Sequence, residues 1–504
     1  MTDAIQGQQD FPEQHDEDVP VARAPVTARR VVIAGARVVA GAVGIGVAVV
    51  TIAASALVPW PTVSSVPPSV VVVPVPTAQQ LVCSGALMRL ADDIGQGATT
   101  ASAIGAPSIR YSSSSGSVDS TFLEQSDAST GGTASAPAVI STPPNPADAA
   151  ERILLSGAQA QTTAEGDFVG LAASACAAVS GDSWLSGGST SVGRTTLLTL
   201  SNPTEVAATV NLQLFGEDGE ITAPGTSGIV VAASGQRVLS LAGFQPDIES
   251  PVVHVTSTGG QIVAELQQAT VRGLEPGGID IVGATGAPST ENIIPGLLVT
   301  NSVAVQELQG GGPGFQDLRT VLRLFAPGTG PVRTTISVVP EDGIGVGTSF
   351  ALDIVAGRVV DVPIEELEDG SYTVRIESDL PVVAAARVSS ALASVSDFAW
   401  LTAVPELADA ALVTIAPGPN PVVHLANSSA DAVEIVLEAS VGADIAVSIA
   451  AGATATVAVE PGTTYSLREI ERLFVAVTLE GEGLIARYAA QPSGSGSSAV
   501  VIYP

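Results

Sequence analysis

The feature that most constrains this chain is a pattern of alternating apolar and polar residues that occurs three times. In each copy two predicted strands flank a short turn, a third strand follows an Ala-Gly or Ser-Gly turn, and a closing hairpin turns on Gly-Gly, Ser-Asp or Glu-Gly. The equivalent residues Leu200, Leu324 and Leu425 lie 124 and 101 residues apart. Because these separations far exceed solenoid periods, the pattern predicts separate units with their own cores.

The spacing of the predicted strands within each copy is typical of an immunoglobulin-like β-sandwich. Val and Ala dominate the composition and only 14% of the 504 residues are charged, which favours β-branched strands with small packing partners over charged helices. We therefore expect a mostly β protein, with an N-terminal transmembrane helix followed by about three tandem immunoglobulin-like β-sandwich repeats. The repeats are predicted at 197–290, 291–405 and 406–504.

An uncharged segment near the N-terminus, Val38–Trp60, is long enough to span a bilayer as a helix. Four arginines precede it and none lies within it. The positive-inside rule therefore predicts a cytoplasmic tail at 1–30, a transmembrane helix at 31–58, and an extracellular location for everything that follows. A signal peptide cleaved near Ala56 is the alternative, and it would give a secreted form. A Pro-rich stalk is expected at 59–80.

The region between the stalk and the first repeat, 81–196, is predicted to be an extracellular segment with little regular structure. Residues 112–145 are rich in Ser, Thr, Gly and Pro and nearly free of large apolar side chains. Such a segment cannot bury enough apolar surface to order itself, so it is predicted to be disordered. Helical spacing at 81–93 and 146–160 favours short helices there.

The two cysteines, Cys83 and Cys176, both fall in the predicted extracellular part, where oxidation is permitted. No His or second Cys lies beside either of them at metal-ligand spacing. A disulfide is the simplest interpretation, and it would close a loop of about 94 residues. Two unrelated buried thiols are the alternative.

The formal net charge is −31, from 50 acidic residues against 19 Lys and Arg. This balance argues against nucleic acid or an anionic membrane surface as a partner. Residues 188–195 have the spacing of a phosphate-binding loop, with Arg194 where that loop has a lysine. The alternation that follows predicts a strand where a phosphate-binding loop needs a helix, so we interpret 188–195 as a turn into the first repeat.

Candidate catalytic groups are few. His254 and His424 lie in predicted strands at non-equivalent repeat positions, and the chain has neither a G-x-S-x-G nor an H-E-x-x-H motif. The Glu-Asp-Gly sequences at 217–219 and 341–343 predict hairpin turns, with weak calcium binding as the alternative. The acidic run 365–369 is interpreted as a solvated surface. We therefore predict no catalytic, metal-binding or cofactor-binding residue and expect no cofactor.

Several short motifs, the last of which opens the first repeat, resemble those of a known family. They are the apolar span, Leu81–Gly85, Cys176, Trp184–Thr190 and Leu200–Pro203. Together they resemble the DUF5719 proteins, an uncharacterised actinobacterial family, over most of residues 81–490. The resemblance implies a single-pass or secreted extracellular protein without an assigned activity, and it supports the predicted topology and the cysteine pair. It supplies no catalytic residue.

The apolar segment, the repeats and the lack of a catalytic set predict a non-enzymatic structural or interaction protein of the actinobacterial cell envelope. Its expected partner is an envelope protein or a wall glycan. The alternative is a glycan-binding or glycan-processing accessory of envelope assembly. Sugar-binding sites usually use exposed aromatic faces, and Trp184 and Trp400 are the only tryptophans beyond Trp60. This scarcity disfavours the alternative.

Overall fold

The computed structural model describes residues 79–90, 100–126, 128–129, 135–143, 153–344, 347–365, 367–393 and 395–492, together with Val43, Val70–Val72 and Val500–Ile502. The predicted cytoplasmic tail 1–30, the predicted transmembrane helix 31–58 apart from Val43, and most of the predicted stalk 59–80 lie outside the described residues. Residues 71–500 form one compact unit, and a second unit of 1–70 with 501–504 lies almost wholly outside the description. Within the described residues, no helix is both long and apolar enough to cross a membrane.

Most of the described chain is in strands, which confirms the prediction of a mostly β protein. The strands of the N-terminal region are β1 (Val70–Val72), β2 (Gln79–Cys83), β3 (Leu87–Leu90), β4 (Ala101–Ile104), β5 (Ser108–Ser113), β6 (Asp119–Phe122), β7 (Glu124–Gln125), β8 (Ala128–Ser129), β9 (Ala138–Thr142), β10 (Leu155–Glu165), β11 (Phe168–Ala175) and β12 (Ala177–Ala178).

Three successive groups of strands follow, which we call the first, second and third copies. The first copy comprises β13 (Asp182–Ser186), β14 (Arg194–Asn202), β15 (Ala208–Gly216), β16 (Gly219–Ile221), β17 (Ile229–Val231), β18 (Gly235–Ser240), β19 (Val252–Gly259), β20 (Val263–Arg272) and β21 (Glu275–Val282). The second comprises β22 (Ser289–Val299), β23 (Val321–Phe325), β24 (Pro331–Pro340), β25 (Thr348–Val355), β26 (Val359–Pro363), β27 (Gly370–Leu392) and β28 (Val395–Thr402).

The third copy comprises β29 (Glu406–Thr414), β30 (Val422–Asn427), β31 (Val433–Ala439), β32 (Ile445–Ile449), β33 (Thr454–Ala458), β34 (Thr464–Gly481) and β35 (Leu484–Ala489), and β36 (Val500–Ile502) follows it. Helix α1 (Ser302–Gly310) and a 3-10 helix at Pro313–Leu318 lie between β22 and β23. A short 3-10 helix, Leu241–Gly243, follows β18.

The three copies use one antiparallel pairing scheme. In the first, β14 pairs with β18 and β20, and β15 pairs with β16, β17 and β19. In the second, β23 pairs with β26 and β27, and β24 pairs with β25 and β27. In the third, β30 pairs with β33 and β34, and β31 pairs with β32 and β34. The opening strands β13, β22 and β29 pair with β19, β27 and β34, so β13 joins the first copy although the predicted N-terminal region 81–196 contains it.

Alternation along the strands gives each copy a core between two sheets. In β15 the residues Ala208, Val210, Leu212 and Leu214 are buried, whereas the polar residues between them are exposed. Side chains at every second position share one face of a strand, so this pattern buries one face and leaves the other in solvent. The buried face of β15 packs with apolar residues of β14, β19 and β20, which belong to both sheets of the copy.

One strand of the second copy crosses between its two sheets. β27 pairs with β24 up to Ser378 and with β23 from Val383, so the hairpin predicted at Ser378-Asp379 is wrong. Each half of β27 is paired along another strand, and it therefore cannot fold back on the other half. The hairpin predicted at Gly259-Gly260 in the first copy is also wrong, because β19 and β20 on either side of it belong to different sheets and do not pair. The hairpin predicted at Glu480–Gly483 does form, between β34 and β35.

Each copy has a hydrophobic core of its own, and a few side chains from neighbouring parts of the chain extend into each core. Phe398 and Trp400 of the second copy lie in the core of the first. Ile485 of the third copy lies in the core of the second, and Ala158 and Leu171 of the N-terminal region lie in the core of the third. These contributed side chains add to the apolar area that each core buries.

The N-terminal region is ordered wherever the structure describes it. The predicted disorder at 112–145 is therefore wrong for 112–126 and 135–143, which contain strands. β9 pairs with β2 and β6, and its residues Val139 and Ile140 are buried. The average composition of this segment hides the short apolar run that β9 buries. The predicted helix at 81–93 is replaced by β2 and β3, and the described end of 146–160 belongs to β10, because both segments find strand partners distant in sequence.

A buried asparagine fastens the turn that follows the first long strand of the first copy. The side-chain amide of Asn202 donates hydrogen bonds to the carbonyls of Val206, Val231 and Ala232, at 2.8, 3.2 and 3.1 Å. Its Oδ1 accepts from the Thr204 amide and hydroxyl. The two N–H groups of one side-chain amide are therefore shared among three backbone carbonyls of the turn and of the end of the neighbouring strand β17.

The third copy repeats this arrangement. Asn427 donates to the carbonyls of Asp431, Ile449 and Ala450 and accepts from the amide and hydroxyl of Ser429. The second copy has Ala326 at the corresponding position, and Ala326 is fully buried. The turn is thus fastened by an amide side chain in two of the three copies.

Candidate functional site

A cavity of about 390 Å³ lies where the N-terminal strands meet all three copies, and we call it the junction cavity. Its walls come from β11, β12, β13, β20, the loop after β21, β28 and β35. Most lining residues are Ala, Gly, Ser or Thr, so the space exists because small side chains face it. The charged lining residues are Asp182, Glu265 and Arg487.

Glu265 lies on the central strand β20, opposite Thr199 of β14. Its neighbours Ala264 and Leu266 face the core of the first copy, so the strand alternation turns Glu265 towards the N-terminal region. The side chain is buried, and this burial raises its pKa to about 7, although a hydrogen bond from Ser84 acts in the opposite direction. Ser84 is also hydrogen-bonded to Ser174, a lining residue, at 3.0 Å. The cavity therefore contains a carboxyl group that changes charge near neutral pH.

Arg487 lies on β35 of the third copy, and its side chain is also buried. Its Nη1 donates to the carbonyl of Thr402 at 2.8 Å, and its Nη2 donates to the carbonyl of Pro295 at 3.2 Å. Its Nε has no hydrogen-bond partner within the described residues. Burial lowers the pKa of Arg487 to about 9, against the influence of Glu341 and Asp280.

Two more buried carboxyl groups adjoin the cavity wall. Asp280 accepts the backbone amide of Trp400, a lining residue, at 2.7 Å. Asp397 accepts backbone amides of Leu171, Ile279 and Ile485, which belong to the N-terminal region, the first copy and the third copy. Burial raises the pKa of both, to about 7 for Asp397. Asp397 thus ties three parts of the chain to the second copy, which carries it.

The joint between the first and second copies is centred on Arg323. Its Nε and Nη2 donate to both carboxylate oxygens of Asp361 at 2.8 Å. The same guanidinium donates to the carbonyls of Gly188, Pro251 and Glu249 in the first copy. Burial opposes ionisation of Asp361, but Arg323 outweighs it and lowers the pKa of that carboxyl. We call this group the arginine joint.

The joint between the second and third copies is centred on His424. Its Nδ1 lies 2.5 Å from Glu341 Oε2, and its Nε2 lies 2.8 Å from the hydroxyl of Thr478. Glu341 also accepts the amide of Gly296 and the hydroxyl of Thr373. Burial opposes ionisation of Glu341, but His424 and these hydrogen bonds outweigh it and lower the pKa of the carboxyl. We call this group the histidine joint.

The predicted turn at 341–343 is present in the backbone, but the side chain of Glu341 is not on the surface as a turn residue would be. It is buried because the third copy packs over it and supplies His424 as a partner. Gly296 has a φ of +75°, and a Cβ there would lie 2.9 Å from the imidazole, so this close approach needs glycine. Glu217, at the equivalent turn, accepts the amides of Glu249 and Ser250.

His254 and His424 lie in separate sites, as the sequence predicts. His254 Nε2 lies 3.0 Å from Asp182, and its Nδ1 lies 2.9 Å from Gln213. The indole of Trp184 stacks on its ring at 4.1 Å. Both histidines therefore have polar partners. No group of three or more His, Cys, Asp or Glu among the described residues is arranged to hold a metal ion.

Cys83 and Cys176 form a disulfide, as predicted. The pair is buried with Leu81, Ile140 and Leu155, and it joins β2 to the segment between β11 and β12. Gly157 makes room for it, since a Cβ there would lie 2.8 Å from the sulfur of Cys176. The disulfide therefore forms part of the N-terminal core.

The segment 188–195 is a turn that leads directly into β14, as predicted, and no helix follows it. Arg194 forms an ion pair with Asp317 at 2.8 Å. Arg272 and Arg387 contact the same carboxylate at 2.9 and 3.3 Å. Burial opposes ionisation of Asp317, but the three guanidinium groups outweigh it and lower its pKa. This cluster fastens the 3-10 helix Pro313–Leu318 to the first two copies.

The buried ionisable residues of these sites were not predicted from the sequence. Glu265 stands in an otherwise apolar and amide-rich strand, and a lone carboxyl in such a strand is the available signal. The partners of Asp397 and Arg487 are backbone groups distant in sequence, and Arg323 bonds both to such groups and to the carboxylate of Asp361. No local motif records such partners.

The chain is thus a β protein with three copies of one pairing scheme and a disulfide in its N-terminal region. Residues 128–469 match the family described as "Family of unknown function (DUF5719)". This match covers more than half of the chain, so the chain belongs to the DUF5719 family.

Two other comparisons add little to this membership. No curated protein matches the chain. A solved structure titled "Biofilm associated protein - BSP domain" has 9% identity and a TM-score of 0.12, with 68% of this chain covered. The chain spans 64% of the length of that structure. At this TM-score the likeness carries no argument about fold or function.

Proposed function

We propose that this chain is a non-enzymatic structural or interaction protein of the cell envelope, anchored by one helix at 31–58 with its bulk outside the cell. The observation that carries the proposal is the disulfide between Cys83 and Cys176. Structural disulfides persist in oxidising compartments and are rare in the cytosol. The uncharged segment Val38–Trp60 and the four arginines before it support the same topology.

The three copies are proposed to be immunoglobulin-like sandwiches, with repeats at 197–290, 291–405 and 406–504, that present strand edges to a partner. The shared pairing scheme supports this assignment. β25 and β32 each lie at the edge of a sheet, and most of their side chains are at least partly exposed. An edge strand has unpaired backbone groups that can pair with another chain.

A protein partner is favoured over a wall glycan. Trp184 is buried against His254, Phe215 and Phe325, and Trp400 is buried beneath the guanidinium of Arg323. Sugar sites generally stack the ring of a sugar on an exposed aromatic face. The two tryptophans of the described chain do not offer such a face. The glycan-active accessory therefore ranks second.

The proposal is tested by crosslinking in intact cells with the full-length chain as bait, followed by identification of the captured molecules. We compare wild type with the Cys83→Ser, Cys176→Ser double variant, and Glu205→Gln, at an exposed position of the turn after β14, serves as the control. Capture of one defined envelope protein by wild type and the control, but not by the double variant, supports an interaction role. Capture of wall polymer alone supports the glycan accessory.

The topology is tested separately, because a partner can be lost for other reasons. A Val192→Cys variant places a thiol at a position that is 86% exposed, and a thiol reagent that cannot cross membranes is added to intact cells. Labelling of this thiol in intact cells is expected for an extracellular bulk. Labelling only after the cells are lysed contradicts the extracellular assignment.

A further inference from the structure

Two ionisable side chains of the junction cavity have no direct ion-pair partner among the described residues, although Glu341 and Asp280 act on Arg487 from a greater distance. Arg487 uses two of its nitrogens on the carbonyls of Thr402 and Pro295, and its Nε has no partner among the described residues. Glu265 is bonded to the neutral hydroxyl of Ser84. Within the described part of the chain, neither group forms an ion pair. The third charged lining residue, Asp182, is bonded to His254 and its side chain is 63% exposed.

Burying a charged group without a nearby opposite charge costs free energy of folding, unless a bound group supplies that charge. Removing a charge from water costs several kcal/mol, and an opposite charge in good geometry is what normally offsets this cost. In the arginine joint the carboxylate of Asp361 is the opposite charge for Arg323. In the cluster around Asp317, one carboxylate is paired with three arginines. The junction cavity instead leaves open space beside its two groups.

We propose that the junction cavity binds a small amphoteric ligand of the amino-acid or short-peptide class, with its carboxylate at Arg487 and its ammonium at Glu265. The volume of about 390 Å³ lies in the range of small-molecule sites. Walls of Ala and Gly suit small side chains. This inference does not rest on the envelope role proposed above.

Other ligand classes satisfy the cavity less well. A simple anion leaves Glu265 without a partner, and a simple cation leaves Arg487 without one. A sugar finds its usual aromatic groups occupied. The indole of Trp400 donates to Gln268 at 2.6 Å, and the hydroxyl of Tyr488 both accepts from Ala416 and donates to Thr414.

The ionisation of Glu265 sets the expected pH dependence of binding. Its pKa is about 7 in the unliganded chain, so the carboxylate form rises through neutral pH. Lining residues that also carry charge are Arg487, which stays protonated over this range, and Asp182 at the rim. Asp280 and Asp397 are buried beside the wall, where they accept the amides of Trp400 and Leu171; burial raises the pKa of both, to about 7 for Asp397. We expect affinity to rise about fivefold between pH 6 and pH 8, because the gain from Glu265 ionisation is partly offset as the ligand's ammonium, with an ordinary pKa near 8, loses its proton.

The first test uses ligands and needs no variant. Calorimetry on the full-length chain in detergent compares alanyl-alanine with its N-acetylated form and its C-terminal amide. The proposal expects alanyl-alanine to bind and each blocked form to bind at least tenfold more weakly. Absence of binding by alanyl-alanine, or equal binding by either blocked form, overturns it.

The second test assigns the ammonium contact. Glu265→Gln keeps the size of the side chain and removes its charge, so binding of alanyl-alanine should weaken at least tenfold and no longer rise with pH. Asp353→Asn, an exposed residue outside the cavity lining, should bind within twofold of wild type. Thermal unfolding without ligand shows whether each variant is folded. A folded Glu265→Gln chain that keeps wild-type affinity and pH dependence overturns the proposal, and an unfolded one leaves the decision to the blocked ligands.

Discussion

The arginine joint and the histidine joint occupy equivalent places in the fold but use different chemistry. Arg323 and His424 each precede the equivalent leucines Leu324 and Leu425, and each reaches back into the preceding copy. The guanidinium contacts one carboxylate and three backbone carbonyls. The imidazole contacts one carboxylate and one hydroxyl. The fold therefore specifies a polar connection at this position and leaves its chemistry open.

The two joints differ in how much they depend on a single partner. The planar guanidinium has five N–H donors, so it can connect several chain segments at once. The imidazole has two nitrogens, and both are used within a fully buried cluster. Loss of Asp361 should thus leave the charge of Arg323 unbalanced, while the bonds to the backbone carbonyls remain. Loss of Glu341 or of Thr478 should remove one of the two hydrogen bonds that the imidazole makes.

The largest effect is expected from Asp361→Ala. This change leaves Arg323 buried without its counter-ion, which should lower the free energy of unfolding by about 3–5 kcal/mol. Denaturant unfolding of the full-length chain measures it. Asp353→Ala, which breaks the exposed pair with Arg333 at 3.6 Å, should cost less than about 0.5 kcal/mol. Equal effects of the two changes would show that the arginine joint does not stabilise the fold.

A smaller effect is expected from Glu341→Gln in the histidine joint. Loss of a hydrogen bond to a charged group should cost about 1.5–3 kcal/mol at neutral pH. The pKa of Glu341 is lowered in the folded chain, so its contribution is present above the ordinary value of 4.5 and is lost as pH falls through the folded-state pKa. Unfolding measured from pH 6 to pH 3 should therefore be less acid-sensitive in the variant. An unchanged acid dependence would contradict this role of Glu341.

The turn asparagines give the next effect. Asn202→Ala and Asn427→Ala each leave three carbonyls without their side-chain donor, and each should cost about 1–2 kcal/mol. Asn211→Ala on the exposed face of β15 is the control and should cost less than about 0.5 kcal/mol. If the two buried sites behave like the control, the second copy with Ala326 loses nothing by lacking the amide.

The smallest effect is expected from Thr478→Val. It removes only the hydrogen bond between the Thr478 hydroxyl and His424 Nε2 and keeps the shape of the side chain, so the cost should be about 1 kcal/mol. Thr209→Val, exposed on β15, is the matched control and should be nearly neutral. A cost as large as that of Glu341→Gln would mean that both bonds of the imidazole contribute equally.

The sequence predicted features that depend on local pattern. Period-two alternation predicted strands such as β15, and the Glu-Gly turn predicted the hairpin between β34 and β35. The location and even number of the cysteines predicted the disulfide. The strands and the hairpin follow from residues close in sequence. The disulfide follows because the chain has only two cysteines, which allow a single pairing.

Features that depend on distant partners were not predictable in this way. β27 reads as a hairpin because Ser378-Asp379 suits a turn, but its two halves pair with β24 and β23 instead. Glu341 reads as a surface turn residue because the third copy that covers it comes more than 80 residues later. Burial of Glu265 and Arg487 depends on four chain segments meeting, and a single sequence does not record that meeting.

The side chains that one copy contributes to the core of the preceding copy have a mechanical consequence. Trp400 and Phe398 of the second copy belong to the core of the first, and Ile485 of the third belongs to the core of the second. Pulling on one end of the chain therefore cannot extract one copy without exposing apolar surface of its neighbour. Under tension we expect the copies to unfold together in one step. Tandem domains without such contacts unfold one after another.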